Sequence, residues 1–212
     1  MVKIAKLISV IFHPVFIPCW LIFILLCFCD NSLVLAQPGR KTIYFITFSV
    51  FMTILPLLNI MILKYMGYIS GFEMENKKER NLPLFICLVY YAGLFYLLLQ
   101  SDIMYFYHAF VLSGFVLLLF NYLVNLKWKI SAHAIGAGGL CGTFIIFSFL
   151  FRVNITFFIS ISFLLSGLIM TSRLVLKKHT NAQVYIGYIA GLILAILVIP
   201  VSMILIYNSQ LK

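Results

Sequence analysis

Carboxylates are nearly missing from this chain. Its 212 residues hold five acidic side chains, Asp30, Asp102, Glu73, Glu75 and Glu79, against fifteen lysines and arginines. No Asp-rich motif exists, which disfavours chemistry that handles diphosphates through Mg²⁺ on clustered carboxylates. Neither a metal nor any other cofactor is expected. Charge of either sign is scarce at 9%, while 64% of residues are apolar. That balance excludes an ordinary soluble domain, and no stretch is long and polar enough to form one separately. The cysteines are few and odd in number: Cys19, Cys27, Cys29, Cys87 and Cys141, all within apolar runs. They read as buried, unpaired small hydrophobes. Cys27 and Cys29, two apart, do not share a helix face and are no metal pair.

What the chain has is apolar length. Runs of about 18 or more apolar residues recur throughout, which predicts an all-α integral membrane bundle of about seven (six to seven) transmembrane helices, one membrane domain over 1–212. The segments run from about Ala5 to Cys29, Lys41 to Leu63, Pro83 to Leu99, Ile103 to Val124, His133 to Phe151, Asn154 to Ser172 and Gln183 to Tyr207. The third is short enough to be little tilted or partly re-entrant. Pro14, Pro18, Pro56 and Pro200 fall inside spans and are expected to kink them. The first segment admits a rival reading as a signal peptide: Lys3 and Lys6, an apolar stretch, then Ser32 to Ala36 as a cleavage region. It is long for that role and carries His13, Pro14 and Pro18 near its start.

The net charge is +10. The basic residues lie in short loops between apolar runs, so lipid headgroups and membrane topology explain them, and nucleic acid is not an expected partner. Counting crossings places three polar loops on one membrane face with the N-terminus: Lys64 to Leu82, Lys127 to Gly139 and Thr171 to Gln183. The opposite face carries Asp30 to Arg40, Gln100 to Asp102, a tight turn at Arg152 and the C-terminus. Positive charge favours a cytoplasmic position for the first face. That bias nearly vanishes once Lys77, Lys78, Arg80, Lys129, Arg173 and Lys177 are set aside as possible phosphate ligands, so sidedness stays open. His108 begins near the opposite face and reads as structural. His13 begins on the loop face; its Phe-His-Pro context also reads as structural, with a headgroup contact as the alternative. Gly136, Gly138, Gly139 and Gly142 allow close helix packing, or an approach of backbone amides to an anion.

The loop face collects residues suited to phosphate chemistry. An arginine binds phosphate through a bidentate fork, and two histidines can divide nucleophilic and acid work. Ser172-Arg173, five further residues and then His179 resemble the third signature of the type 2 phosphatidic acid phosphatases, a family whose superfamily includes bacterial acid phosphatases and vanadium haloperoxidases. Ile130-Ser131-Ala132-His133 resembles the second signature, PSGH, with Ile130 and Ala132 in place of Pro and Gly. Lys77-Lys78-Glu79-Arg80 with Pro83 loosely resembles the first, K-x6-RP, with Glu73 standing where the lysine is expected. The order matches, and the resemblance covers about Lys77 to Gly191.

The resemblance implies roles. His179 attacks phosphorus and forms a phosphohistidine; His133 protonates the leaving alcohol, then activates water. Arg173 and Arg80 bind the phosphoryl oxygens with help from Lys77 or Lys78, and Ser131 and the backbone near Ala132 donate further hydrogen bonds. Where the family has Asp, this chain has Gln183, whose amide oxygen can accept the His179 Nδ1 proton but cannot supply the charge. Glu79 is the nearby carboxylate that could. The implied function is a metal-independent lipid phosphatase acting on a phosphorylated lipid in a bilayer, with a bacterial cytoplasmic membrane as the expected location. Phosphatidic acid, phosphatidylglycerophosphate, an isoprenoid (di)phosphate and a phosphorylated glycolipid are equal candidates. The alternatives are a non-catalytic relative binding an anionic lipid or a partner, and a lipid-to-lipid phosphotransferase. Oligomeric state stays open.

Overall fold

The computed structural model describes residues 1–28, 40–72, 74, 76–101 and 103–210. Cys29, Asp30, the region Ser32 to Ala36, Glu73, Glu75 and Asp102 lie outside the described residues. The described chain is helical, without strands.

The first expected span is not one helix. It breaks into α1 (Val2–Ile11) and α2 (Ile17–Phe28). Pro14 has no N–H to donate and its ring pushes His13 out of the helical region, so the helix stops ahead of it. A turn follows in which the Phe16 N–H donates to the His13 carbonyl (2.8 Å). Pro18 then falls in the first turn of α2, where a missing N–H costs nothing. At 12 residues, α2 is shorter than a full crossing.

The next rod is α3 (Lys41–Ser49), a π-helical segment (Val50–Ile54) and α4 (Leu55–Tyr65), together a 25-residue apolar helix. Pro56 clashes with the carbonyl four residues before it, inside the π-helical segment, where the wider turn gives room. The third span is not short. A 3₁₀ turn at Lys77–Arg80, capped by the Asn76 side chain, leads into α5 (Asn81–Leu99), and the pair makes a 23-residue apolar helix. Pro83 lies in its first turn. There follow α6 (Tyr105–Lys127), α7 (Ala132–Phe151), α8 (Thr156–Val175) and α9 (Asn181–Gln210), with Pro200 inside α9.

Among the described residues, six helices are therefore long and apolar enough to cross a membrane, with α2 as a shorter apolar partner. Large apolar side chains such as Phe149, Phe157, Leu164 and Leu205 face outward, as an integral membrane protein requires. Cys87 and Cys141 are buried as expected, but Cys19 is half-buried and Cys27 is exposed, because α2 turns Cys27 to the outer surface of the bundle. His108 is fully buried, with Nε2 2.9 Å from the Leu98 carbonyl, which fits its structural reading.

Two kinds of packing hold the bundle. Toward the Arg152 end, Phe106, Phe147 and Phe151 meet edge-on or tilted, with ring centroids 4.8–5.5 Å apart. At the other end, α7 and α9 meet backbone to backbone. A Cβ on Gly138 would land on the Tyr188 carbonyl oxygen, and one on Gly142 would lie 2.6 Å from that of Leu192. The glycines thus serve close helix packing.

Candidate functional site

A cavity of about 370 Å³ opens within the bundle at the end where the three polar loops meet. Ser9, His13, Arg80, His133, Arg173 and His179 line its polar part. Its remaining walls are mostly apolar, among them Leu21, Met52, Tyr91, Phe110 and Leu140. Along α7 the lining runs from His133 to Thr143, about 15 Å at the helical rise. One cavity thus has a cationic, histidine-rich end, and its remaining walls are mostly apolar.

Arg173 stands in the last turn of α8 and is 2% exposed. Its Nη1 donates to the Ser9 hydroxyl at 3.1 Å. The Ser9 and Ser172 hydroxyls lie 3.0 Å apart, and Ser172 donates to the Ile169 carbonyl at 2.6 Å. Since the Ser172 proton is committed to Ile169, Ser9 donates to Ser172 and accepts from Arg173. The Ser9 carbonyl accepts from His133 Nε2 at 3.1 Å, at the start of α7. Ser9 therefore engages both Arg173 and His133 from a segment far away in the chain. Nothing in the sequence singles it out: a lone serine in an apolar helix is common, and its i, i+4 relation to His13 is the only pattern.

After α8 the chain turns sharply. Lys177 takes a left-handed conformation (φ 53°), and the N–H groups of Lys177 and Lys178 donate to the carbonyls of Leu174 and Arg173. This is a Schellman closure with lysine at the position that favours glycine. It delivers His179 beside the first turn of α9. There Gln183 Oε1 accepts from His179 Nδ1 (3.2 Å) and from the Thr180 N–H (3.1 Å), while Thr180 Oγ1 accepts from the Gln183 N–H (3.4 Å). Thr180 and Gln183 thus form a capping box. The same amide oxygen holds the proton on His179 Nδ1 and leaves the Nε2 lone pair available.

His179 lies outside the spans, and its pKa is pushed down to about 4. Burial is the main cause; the positive charges of Arg80, Arg173 and Lys129 add to it, and the hydrogen bond to Gln183 opposes it. The imidazole is thus neutral at physiological pH, as a nucleophile must be.

The other expected ligands divide. Arg80 reaches the cavity, its Nε donating to the Met74 carbonyl (2.9 Å) and its Nη1 to that of Ile130 (3.4 Å). Lys77 is elsewhere: its Nζ donates to the carbonyls of Leu126 and Lys127 at the end of α6, where a cation offsets the helix dipole. Lys78 is exposed and, like Lys77, is not part of the lining. Ser131 caps α7 by accepting from the Ala134 N–H (3.4 Å) and does not line the cavity either. Glu79, nominated as a helper acid, accepts instead from the backbone N–H and hydroxyl of Ser70 (3.0 and 2.8 Å). Among the described residues no three His, Cys, Asp or Glu side chains are grouped as a metal site. Comparison with protein-family models, curated proteins and solved structures finds no match to this chain.

Proposed function

We propose that this protein is a membrane lipid phosphatase that removes phosphate from a phosphorylated lipid through a phosphohistidine, without a metal ion, in a bacterial cytoplasmic membrane. One observation carries the reading. Arg80, His133, Arg173 and His179, from three separate stretches of the chain, line the polar end of a single cavity whose remaining walls are mostly apolar. A lipid phosphate has the same division of character. The substrate takes the partners that Ser9 now holds: phosphoryl oxygens replace the Ser9 hydroxyl on Arg173 and its carbonyl on His133. His179 Nε2 attacks phosphorus; the P–N bond forms, the P–O bond to the lipid breaks, and His133, which takes up a proton from solvent as the phosphate dianion binds beside it, gives that proton to the departing alkoxide. Water, losing its proton to His133, then attacks phosphorus and breaks the P–N bond. Catalysis is charge stabilisation plus positioning.

Ser9 also favours a second reading. Its hold on Arg173 and His133, together with Gln183 in place of a carboxylate, suits a non-catalytic relative that clasps an anionic headgroup. Purified protein assayed for phosphate release over a panel of phosphorylated lipids separates the two. Release is expected from at least one lipid, falling by at least about 10³-fold in His179→Ala, since the nucleophile is gone. Release that survives His179→Ala, or no release from any lipid, overturns the phosphatase reading.

A further inference from the structure

His13 is a third histidine at the mouth of the cavity, and none of the three loop segments calls for it. Its place is set by backbone chemistry. Pro14 ends α1 just beforehand, so His13 sits on the turn between α1 and α2. There the Val15 N–H donates to its Nδ1 at 3.4 Å, which assigns the ring proton to Nε2. The ring meets His133 edge-on, with centroids 5.3 Å apart and planes at 83°. Ser9, four residues earlier, reaches Arg173 and His133 from the same segment. The α1–α2 corner thus brings a fixed, directional donor to the place where Arg80 and Arg173 supply charge.

We propose that His13 binds the phosphoryl group of the substrate, donating a hydrogen bond from Nε2–H to a phosphoryl oxygen. The proposal rests on the phosphate-site reading above and adds a ligand from outside the three loops. Two arginines already match the charge of a phosphomonoester dianion. Beside these arginines and the proton that His133 takes up, another buried cation would carry an uncompensated desolvation cost, whereas a neutral imidazole adds a directed donor without one.

Amide replacements separate the two ring nitrogens. The amide nitrogen of glutamine reaches roughly where Nε2 stands, and that of asparagine roughly where Nδ1 stands. His13→Gln, His13→Asn and His13→Ala are compared with wild type by kcat/KM for phosphate release from the best panel lipid, by inhibition with inorganic phosphate, and by thermal midpoint. His13→Gln is expected to stay within about fivefold of wild type. His13→Asn and His13→Ala are expected to lose about 10²-fold, with inorganic phosphate inhibiting correspondingly less. Asparagine serving as well as glutamine, or all three variants matching wild type while His179→Ala is dead, overturns the His13 assignment alone. A wild-type protein that neither releases nor binds phosphate overturns the site reading and this proposal with it. Should the variants fail to fold, the unaltered protein decides: the His13 Nε2–H resonance shifts on adding inorganic phosphate, and a resonance that stays put overturns the proposal.

Discussion

The two halves of α7 do opposite things with the same helix. Its first half carries His133 and three glycines, with Gly142 just past the middle, and it meets α9 at backbone distance. Its second half carries Phe144, Phe147 and Phe151, and it is held by interlocking rings. Aromatic packing is broad and tolerant in direction, because rings can slide and tilt. Backbone contact leaves no such freedom: a shift of a few tenths of an ångström is a clash. The half with no freedom positions His133, and the α9 turn with which it pairs carries Gln183 and, just ahead, His179. The Ser131 N–H donates to the Gln183 carbonyl (3.3 Å), tying the two helix starts together directly. The chain therefore uses close glycine contact where positions have to be kept, and phenylalanine where bulk is enough.

Breaking the close half has the largest expected effect. Gly138→Leu places a side chain on the Tyr188 carbonyl oxygen, with the Leu192 nitrogen 2.8 Å from the first added carbon. Both are backbone atoms and cannot rotate away, so α7 and α9 must separate. No folded, monodisperse protein is expected in detergent, as read by size-exclusion profile and thermal midpoint. Gly167→Ala is the matched control: nothing lies within 4 Å of its added carbon, and it replaces glycine within α8. It is expected to leave stability unchanged or to raise it by up to about 1 kcal/mol.

How much of this could be read beforehand follows from the range of the forces. The spans are written in apolar length, and their parity alone brings Arg80, His133, Arg173 and His179 to one end. The break at Pro14 was visible as a proline but not as a stop, since proline inside a membrane span is tolerated when neighbours satisfy the freed groups. Lys77, Lys78 and Glu79 could not be sorted from Arg80 by sequence. All four lie within one turn, and only tertiary placement decides that Lys77 meets the carbonyls of α6, Glu79 meets Ser70 and Arg80 meets the cavity. Ser9 was invisible for a related reason: its partners lie more than a hundred residues away.

Ser9→Ala sharpens the comparison at intermediate size, because it removes the contacts to α8 and leaves the one to α7 in place. The change deletes the hydroxyl between Arg173 and Ser172 and keeps the carbonyl on His133. A lost hydrogen bond to a buried guanidinium costs about 1.5–3 kcal/mol, which should lower the thermal midpoint. Activity should move the other way. On the proposed reading, in which substrate replaces the Ser9 hydroxyl on Arg173, removing that competitor is expected to lower KM for the lipid phosphate. A raised KM with unchanged stability would mean that Ser9 supports bound substrate.

The smallest expected effect comes from restoring a carboxylate on the α9 side of the rigid half, by Gln183→Asp. Gln183 already fixes the His179 tautomer through its amide oxygen, so geometry gains little and charge gains all. A charge-assisted hydrogen bond exceeds a neutral one by about 1–1.5 kcal/mol, so phosphate release should rise about tenfold at neutral pH. The pH dependence must change with it. In the wild type, His179 is neutral above about pH 4, and the acid limb of kcat/KM should lie near there. An unfolded histidine takes its proton near 6.5, so between 6.5 and about 4 the unfolded chain binds more protons than the folded one. Stability from this group is therefore complete above 6.5 and is lost as pH falls toward 4. The introduced carboxylate favours the imidazolium, raises the His179 pKa, moves the acid limb to higher pH and narrows that stability loss. Faster phosphate release with an unmoved acid limb would show that the new carboxylate acts on something other than His179, and the link between α9 and His179 would then have to be sought in the capping turn at Thr180.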